Sequence, residues 1–198
     1  VGKHTLLIHK TSGSFFVLGE LFTSLELPFD QATTKHCGSC SACIDICPTQ
    51  AIVEPYLLDA RKCIAYLTIE FQGIIPEELR RGIGNHVFGC DDCQLICPWN
   101  SFAKTTPIDD FNPRHGLDDI QLIDLWQWDE NTFMANTEGS PLRRTGYQSF
   151  MRNVAIGLGN APFSDEILQQ LQASRPELND IVQVHIDWAI QEQLMKRH

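Results

Sequence analysis

Eight cysteines constrain this chain more than any other feature. They stand at Cys37, Cys40, Cys43, Cys47, Cys63, Cys90, Cys93 and Cys97 of a 198-residue sequence, and none follows Cys97. The first run reads Cys37-Gly-Ser-Cys40-Ser-Ala-Cys43-Ile-Asp-Ile-Cys47-Pro48. Cysteines two residues apart on a tight loop do not meet the geometry of a disulfide with each other. Zinc sites use separated C-x₂₋₄-C pairs, often with paired histidines. Neither description suits four thiols at spacings of 3, 3 and 4 followed by proline.

That spacing is the pattern of ferredoxin-type 4Fe–4S sites, in which three close thiolates wrap one cube and the fourth ligates a neighbouring cube. The second run, Cys90-Asp-Asp-Cys93-Gln-Leu-Ile-Cys97-Pro98, repeats the string without its first cysteine. Three residues before Cys90 stands Val87, which cannot bind iron, and Cys63 remains to fill the vacancy. Two cubes need eight thiolates, and eight are present. The crossing rule then predicts cluster one on Cys37, Cys40, Cys43 and Cys97, and cluster two on Cys90, Cys93, Cys63 and Cys47. Each oxidised cube carries about −2, which favours low potentials within the roughly −700 to +450 mV range of such centres. Ile44, Ile46, Ile52, Leu95 and Ile96 are spaced among the ligands as an apolar shell, a pattern that ordinary core residues also make. The seven histidines (His4, His9, His36, His86, His115, His185 and His198) form no H-x₃-H or H-E-x-x-H pair and read as surface or core residues.

The remainder of the composition sets limits. With 43% hydrophobic residues the chain can build a core. A formal net charge of −10 argues against a generic nucleic-acid binder but leaves room for a local basic face, since Arg61-Lys62, Arg80-Arg81 and Arg143-Arg144 are basic pairs. Uncharged stretches such as Thr11 to Gly19 are far short of the about 20 apolar residues that span a bilayer. The sequence opens on Val1-Gly2-Lys3-His4-Thr5 without an initiator Met or a leader, which reads as mid-domain sequence with an N-terminal portion missing.

Along the chain, Ser14 to Phe22 reads as a buried strand and Thr33-Thr34-Lys35-His36 as a polar lead into the first cysteine. Thr49 to Val53 reads as a short strand, Arg61 to Phe71 as a helix or extended segment, and Pro76 to Arg81 as a short helix with Pro at its first position. Residues 101–139 are turn-rich and acidic, with Trp126 and Trp128 read as packing anchors rather than a stacking site. From Ser140 the pattern is helical. A first helix is capped by Ser140-Pro141 and stopped at Gly159-Asn160, a second starts after Ser164, and a third follows Ser174-Arg175-Pro176 with a stripe of Leu178, Ile181, Val182, Ile186, Ala189 and Ile190. On one continuous helix Arg144 and Arg152 would lie within roughly 80° of each other, either a phosphate-facing or a solvated basic face. The predicted fold class is α+β: a two-cluster ferredoxin-like module followed by a small all-α HEAT-like region. Its segments are 1–36, 37–103 (the cluster module), 104–139 (a connection) and 140–198 (the helical tail).

The segments between the cysteines resemble the epoxyqueuosine reductases, cobalamin-dependent iron–sulfur enzymes of tRNA queuosine biosynthesis. The resemblance rests on Gly2-Lys3-His4-Thr5 with Ser14 to Glu20, on Leu58 to Glu70, on Ile83-Gly84-Asn85 and on Cys97-Pro98-Trp99-Asn100. It extends through Ser140-Pro141-Leu142-Arg143-Arg144 and Arg152-Asn153-Val154-Ala155. It implies an oxidoreductase that reduces epoxyqueuosine to queuosine at the wobble position of tRNA with a GUN anticodon. Two 4Fe–4S clusters would relay electrons from an external donor to cobalamin, and a carboxylic acid would protonate the leaving oxygen. It also implies a cytoplasmic protein without a membrane segment, acting as a monomer.

The family's proton donor and most of its cobalamin cradle lie upstream of the first residue here. No catalytic acid is therefore assigned, and the chain alone is expected to be inactive. Residues 1–36 then read as the end of the cobalamin domain, with Thr5, Phe16 and Gly19 as cobalamin neighbours, although strand and turn packing explains them nearly as well. Tyr66, Thr68 and Glu70 would stand between cluster two and the substrate, and Arg143 and Arg144 would hold the tRNA. Two alternatives remain at this point, a two-cluster ferredoxin-type electron carrier and the C-terminal domain of a reductive dehalogenase. The long helical tail speaks against both.

Overall fold

A computed structural model describes residues 1–33, 36–173 and 175–197. In chain order the elements are α1 (Ala42–Asp45), β1 (Ile52–Glu54), β2 (Leu57–Leu58), α2 (Ile64–Ile69), α3 (Glu77–Ile83), α4 (Asp92–Leu95), α5 (Leu122–Trp126), α6 (Glu130–Asn136), α7 (Tyr147–Asn160), α8 (Asp165–Gln172) and α9 (Asp180–Met195). Short 3₁₀ turns cover Ala60–Lys62, Pro98–Phe102, Asp109–Phe111 and Pro141–Thr145. The fold is mostly helical, and its one sheet among the described residues is the antiparallel pair β1–β2, with Ile52 opposite Leu58 and Glu54 opposite Leu57. Two compact units share the chain. One comprises residues 1–59 and 91–107, the other residues 60–90 and 108–198.

In the first unit, α1 and α4 are single helical turns that pack on each other, each ending in a Cys-Pro pair. Proline stops both turns, because the residue before it is pushed out of helical geometry. The strand expected at Thr49–Val53 forms three residues later, as β1. The buried strand expected at Ser14–Phe22 does not form. Phe15, Phe16, Val17 and Leu18 are exposed, and Phe22 is 96% and Phe29 100% accessible. No neighbouring strand offers this segment its backbone hydrogen bonds, and its apolar side chains have nothing to bury against within the unit. The polar lead before Cys37 falls partly on residues 34 and 35, outside the described residues.

The second unit has the larger core, built from Ile64, Leu67, Ile75 and Ile83 together with the helical tail. Trp126 and Trp128 are buried packing anchors. Trp128 stacks on Phe150 at 5.7 Å, and Phe150 meets Phe133 at 5.1 Å. The main tail interface is α7 against α9. It allows the close approach because residue 159 is glycine: a Cβ there would sit 2.7 Å from the Trp188 ring and 2.9 Å from Ala189 Cα. The buried Gln193 amide donates to the carbonyls of Leu158 (2.8 Å) and Ala161 (3.1 Å), satisfying the open end of α7.

Helix starts follow side-chain caps. Ser164 Oγ accepts from Ile167 N, as the sequence pattern predicts. The first tail helix does not run unbroken from Ser140. Ser140 caps a 3₁₀ turn, and α7 starts only after Gly146, whose φ of 75° breaks the helix. The third helix starts at Asn179, whose Oδ1 accepts from Val182 N, rather than at Pro176. Arg175 is drawn off to the carbonyls of Trp126 and Trp128 and to Tyr147 Oη. Ser174 lies outside the described residues. Likewise Pro76 is the residue before α3 rather than its first residue.

Candidate metal centre

The first cysteine run folds as a tight loop into α1. Cys40 N donates to Cys37 O (3.0 Å), and Cys47 N donates to Ile44 O (3.4 Å). Cys47 Sγ accepts from Ala51 N at 3.2 Å. In the second run Cys97 N donates to Gln94 O and Cys97 O accepts from Asn100 N. Asn100 anchors this run to the N-terminal segment. Its Oδ1 accepts from Ser14 N, and its Nδ2 donates to Ser14 Oγ and Gln94 O.

Within this unit Cys37, Cys40, Cys43 and Cys97 line one cavity of about 490 Å³, together with Lys3, His4, His36, Trp99 and Phe102. Burial pushes the Cys43 thiol up, and negative charge at Cys97, Cys37 and Cys40 pushes it further. The four thiols are thus within electrostatic reach of one another, which is the donor set the spacing predicts for cluster one. A single zinc ion would draw four sulfurs to about 2.3 Å around one point. A cavity of this volume, lined by the four thiols, has room for a multi-atom cluster. None of the eight cysteines is in a disulfide.

The shell expected around the ligands is only partly closed. Ile52 is buried and Ile44 is half-buried, whereas Ile46, Leu95 and Ile96 are exposed. His4 is 3% accessible. Its Nδ1 accepts from Leu6 N (3.1 Å), and its Nε2 is buried with no partner among the described protein atoms. Burial lowers its pKa below the usual histidine value.

Cys63 and Cys90 belong to the second unit, Cys47 and Cys93 to the first. Cys63 is the residue before α2, and its carbonyl accepts from Leu67 N. Cys90 packs at the edge of the second unit's core. The Thr68 hydroxyl donates to Ile64 O (2.7 Å) and accepts from Gly89 N (3.0 Å), so it ties the residue before Cys90 to the helix after Cys63. Thr68 is fully buried. Sequence reasoning missed Arg152 and Asn153 as the framework behind this segment. The fully buried Arg152 guanidinium donates to the carbonyls of Leu67, Phe71 and Gly73 at 2.7–2.9 Å. Asn153 Nδ2 donates to Thr68 O and Val87 O, both at 2.8 Å. Arg152 is therefore no part of an exposed basic face, and burial lowers its pKa to about 10.

Tyr66 is exposed, 6.3 Å from the Phe71 ring. Glu70 and Arg144 form a two-pronged ion pair, with N–O distances of 2.8 and 2.9 Å. Arg143 donates to Met134 O. Thr5, in a turn at φ 70°, is half-buried, while Phe16 and Gly19 are exposed and nothing would lie within 4 Å of a Cβ on Gly19. These three residues alone do not enclose a corrinoid, in keeping with a cradle expected to lie mostly upstream.

Residues 36–100 match the family described as a 4Fe-4S double cluster binding domain, which supports the two-cluster iron–sulfur class for this region. Along its whole length the chain is related to the epoxyqueuosine reductases. It is 56% identical over 191 residues to the epoxyqueuosine reductase of Pseudomonas aeruginosa, covering 96% of this chain and 53% of that protein. To the Escherichia coli enzyme of that name it is 51% identical over 197 residues, covering 100% of this chain and 52% of that one. Among solved structures, it is similar to an epoxyqueuosine reductase crystallised with an epoxyqueuosine-modified tRNA-Tyr stem loop. That likeness has a TM-score of 0.87 at 28% identity, covering 97% of this chain and 51% of that one. The epoxyqueuosine reductase of Streptococcus thermophilus gives a TM-score of 0.85 at 29% identity, covering 100% and 52%. The chain therefore spans about half the length of the relatives it matches.

Proposed function

We propose that this chain is the electron-delivering and RNA-holding part of an oxidoreductase that reduces epoxyqueuosine to queuosine in tRNA. The observation that carries the reading is the cavity shared by Cys37, Cys40, Cys43 and Cys97, within a chain related to such reductases from end to end. Cys47, Cys63, Cys90 and Cys93 are proposed as the second ligand set. The region around 37–103 would be a ferredoxin-like module and residues 140–198 a HEAT-like tail, with 1–36 the end of a cobalamin domain and 104–139 a connection. When bound, 4Fe–4S clusters pass single electrons, here from an external donor toward cobalamin.

The two Cys-Pro turns hold their thiols on rigid one-turn helices, and Thr68, Arg152 and Asn153 fix the segment between Cys63 and Cys90. Arg143 and Arg144 supply positive charge for RNA phosphates, and Glu70 holds the Arg144 guanidinium in a fixed orientation until a phosphate competes for it. Tyr66 offers an exposed ring one helical turn from Glu70. No acid of this chain is assigned as proton donor. The protein is proposed to act in the cytoplasm as a monomer; no helix among the described residues is long and apolar enough to cross a membrane.

The test is anaerobic reconstitution followed by RNA binding. About eight irons and eight sulfides per chain are expected, with salt-dependent binding of tRNA bearing a GUN anticodon. Zinc in place of iron, or no RNA binding at low salt, would sink the reading.

A further inference from the structure

The turn between β1 and β2 holds a residue in a conformation that its type disfavours. Tyr56 sits at φ 70°, in the left-handed region where a bulky side chain is an outlier. Such a conformation costs about 1–3 kcal/mol and persists only where its surroundings impose it. One tie is in the backbone, where Tyr56 N donates to Lys3 O at 3.0 Å. The other is in the side chain: the Tyr56 hydroxyl is hydrogen-bonded to the Cys37 thiol. Cys37 lines the cavity shared with Cys40, Cys43 and Cys97. Lys3, whose carbonyl holds Tyr56, also donates through Nζ to Gly38 O and Cys40 O, both at 2.8 Å. The loop from Cys37 to Cys40 is thus braced at its carbonyls by Lys3 and at its first sulfur by Tyr56. A thiol can give or take a hydrogen bond, but a thiolate bound to iron can only accept one, so with metal present the phenol is the donor.

We propose that Tyr56 is a positioning residue of the cluster held by Cys37, Cys40, Cys43 and Cys97: its hydroxyl donates a hydrogen bond to the Cys37 sulfur, which fixes that ligand and eases reduction of that cluster. The inference rests on the cluster reading above. Reduction brings in one electron from the external donor and no proton, so negative charge on the sulfurs grows. The hydrogen bond is then stronger in the reduced form than in the oxidised one, and the potential rises. The effect is confined to one cluster, because Cys37 belongs to one proposed set only.

The experiment is an EPR-monitored redox titration of the cluster-loaded protein and its variants, with iron content measured on each sample. Tyr56→Phe deletes the hydroxyl and keeps the ring. At a fixed potential the reduced-to-oxidised ratio of one cluster is expected to fall about fivefold, about 40 mV at about 59 mV per tenfold for a one-electron couple, while the other cluster does not move. A fluorotyrosine placed at position 56 is a more acidic donor and is expected to move the same cluster the opposite way, which a merely structural role would not produce. Unshifted potentials at full iron content, equal shifts in both clusters, or the same direction for both substitutions would overturn the proposal.

Loss of iron in the variants passes the decision to a second measurement. Protein labelled with ¹⁷O at its tyrosine hydroxyls, and carrying Tyr66→Phe to remove the other exposed phenol, is reduced and read by ENDOR. One reduced cluster is expected to show a coupled oxygen, and its absence overturns the proposal. No iron in the unaltered protein would instead overturn the cluster reading itself.

Discussion

Arg152 carries a charge in the interior with backbone carbonyls and the Asn153 amide as its acceptors. Replacing it with Met would abandon three carbonyls of the segment 67–73, each at a cost of about 1–3 kcal/mol. Arg152→Met is therefore expected to lose on the order of 3 kcal/mol or more, read as a lower urea midpoint at unchanged m-value. His185 makes a second residue-scale case. Its Nδ1 donates to Ile181 O (2.7 Å) and its Nε2 accepts from Ile75 N (3.1 Å), so only the neutral ring fits, and burial lowers its pKa to about 4. The unfolded chain takes up this proton near pH 6.5. The contribution is thus complete above about pH 6.5 and is lost as the pH falls toward 4, on the order of 3 kcal/mol in all. A urea series across that range should show this slope in the parent and a flatter one in His185→Gln. Neither role was legible in the sequence. Helical periodicity gives the angle of Arg152 around its axis but not the depth at which that face is buried, so an interior arginine reads as part of an exposed basic face, phosphate-facing or solvated. The grouping of Cys37, Cys40, Cys43 and Cys97 around one cavity was legible because metal ligation fixes residue type and spacing together.

At the scale of elements, α7 is the beam on which the second unit is assembled: α9 packs along it, and Asn153 reaches from it to the Cys63–Cys90 segment. Gly159→Ala would drive a methyl group into Trp188 and Ala189, and a loss of about 1–3 kcal/mol is expected by thermal or urea unfolding. Thr68→Val keeps the shape but deletes the hydroxyl that receives Gly89 N. Reconstituted protein is expected to hold less iron at the second ligand set, with the first set unaffected, as two-cluster EPR would report. The caps at Ser164 and the Cys-Pro stops could be read from sequence because they act within a few residues. The break at Gly146, the late start of α9 and the absent strand at Ser14–Phe22 could not, because each depends on what the rest of the fold offers those residues.

For the whole molecule, the proposed division of the cysteines into two ligand sets gives the clearest expectation. Cys63→Ser is expected to reduce the iron from about eight to about four per chain, since Cys63 serves one proposed set only. Arg143→Gln with Arg144→Gln is expected to weaken tRNA binding at every sequence and to flatten the log–log salt dependence by about 1 for each phosphate no longer neutralised. The order of cysteines along the chain predicted who ligates what. It did not reveal that residues 60–90 join the tail in one compact unit, because that depends on packing against residues far downstream. This dependence imposes a schedule on biosynthesis. The stretch bearing Cys63 and Cys90 takes its shape from Arg152 and Asn153, which leave the ribosome long after every cysteine has been made. Assembly of the proposed second centre would therefore wait for the tail, and a nascent chain halted before it would expose Cys63 and Cys90 to oxygen without the framework that shapes their segment.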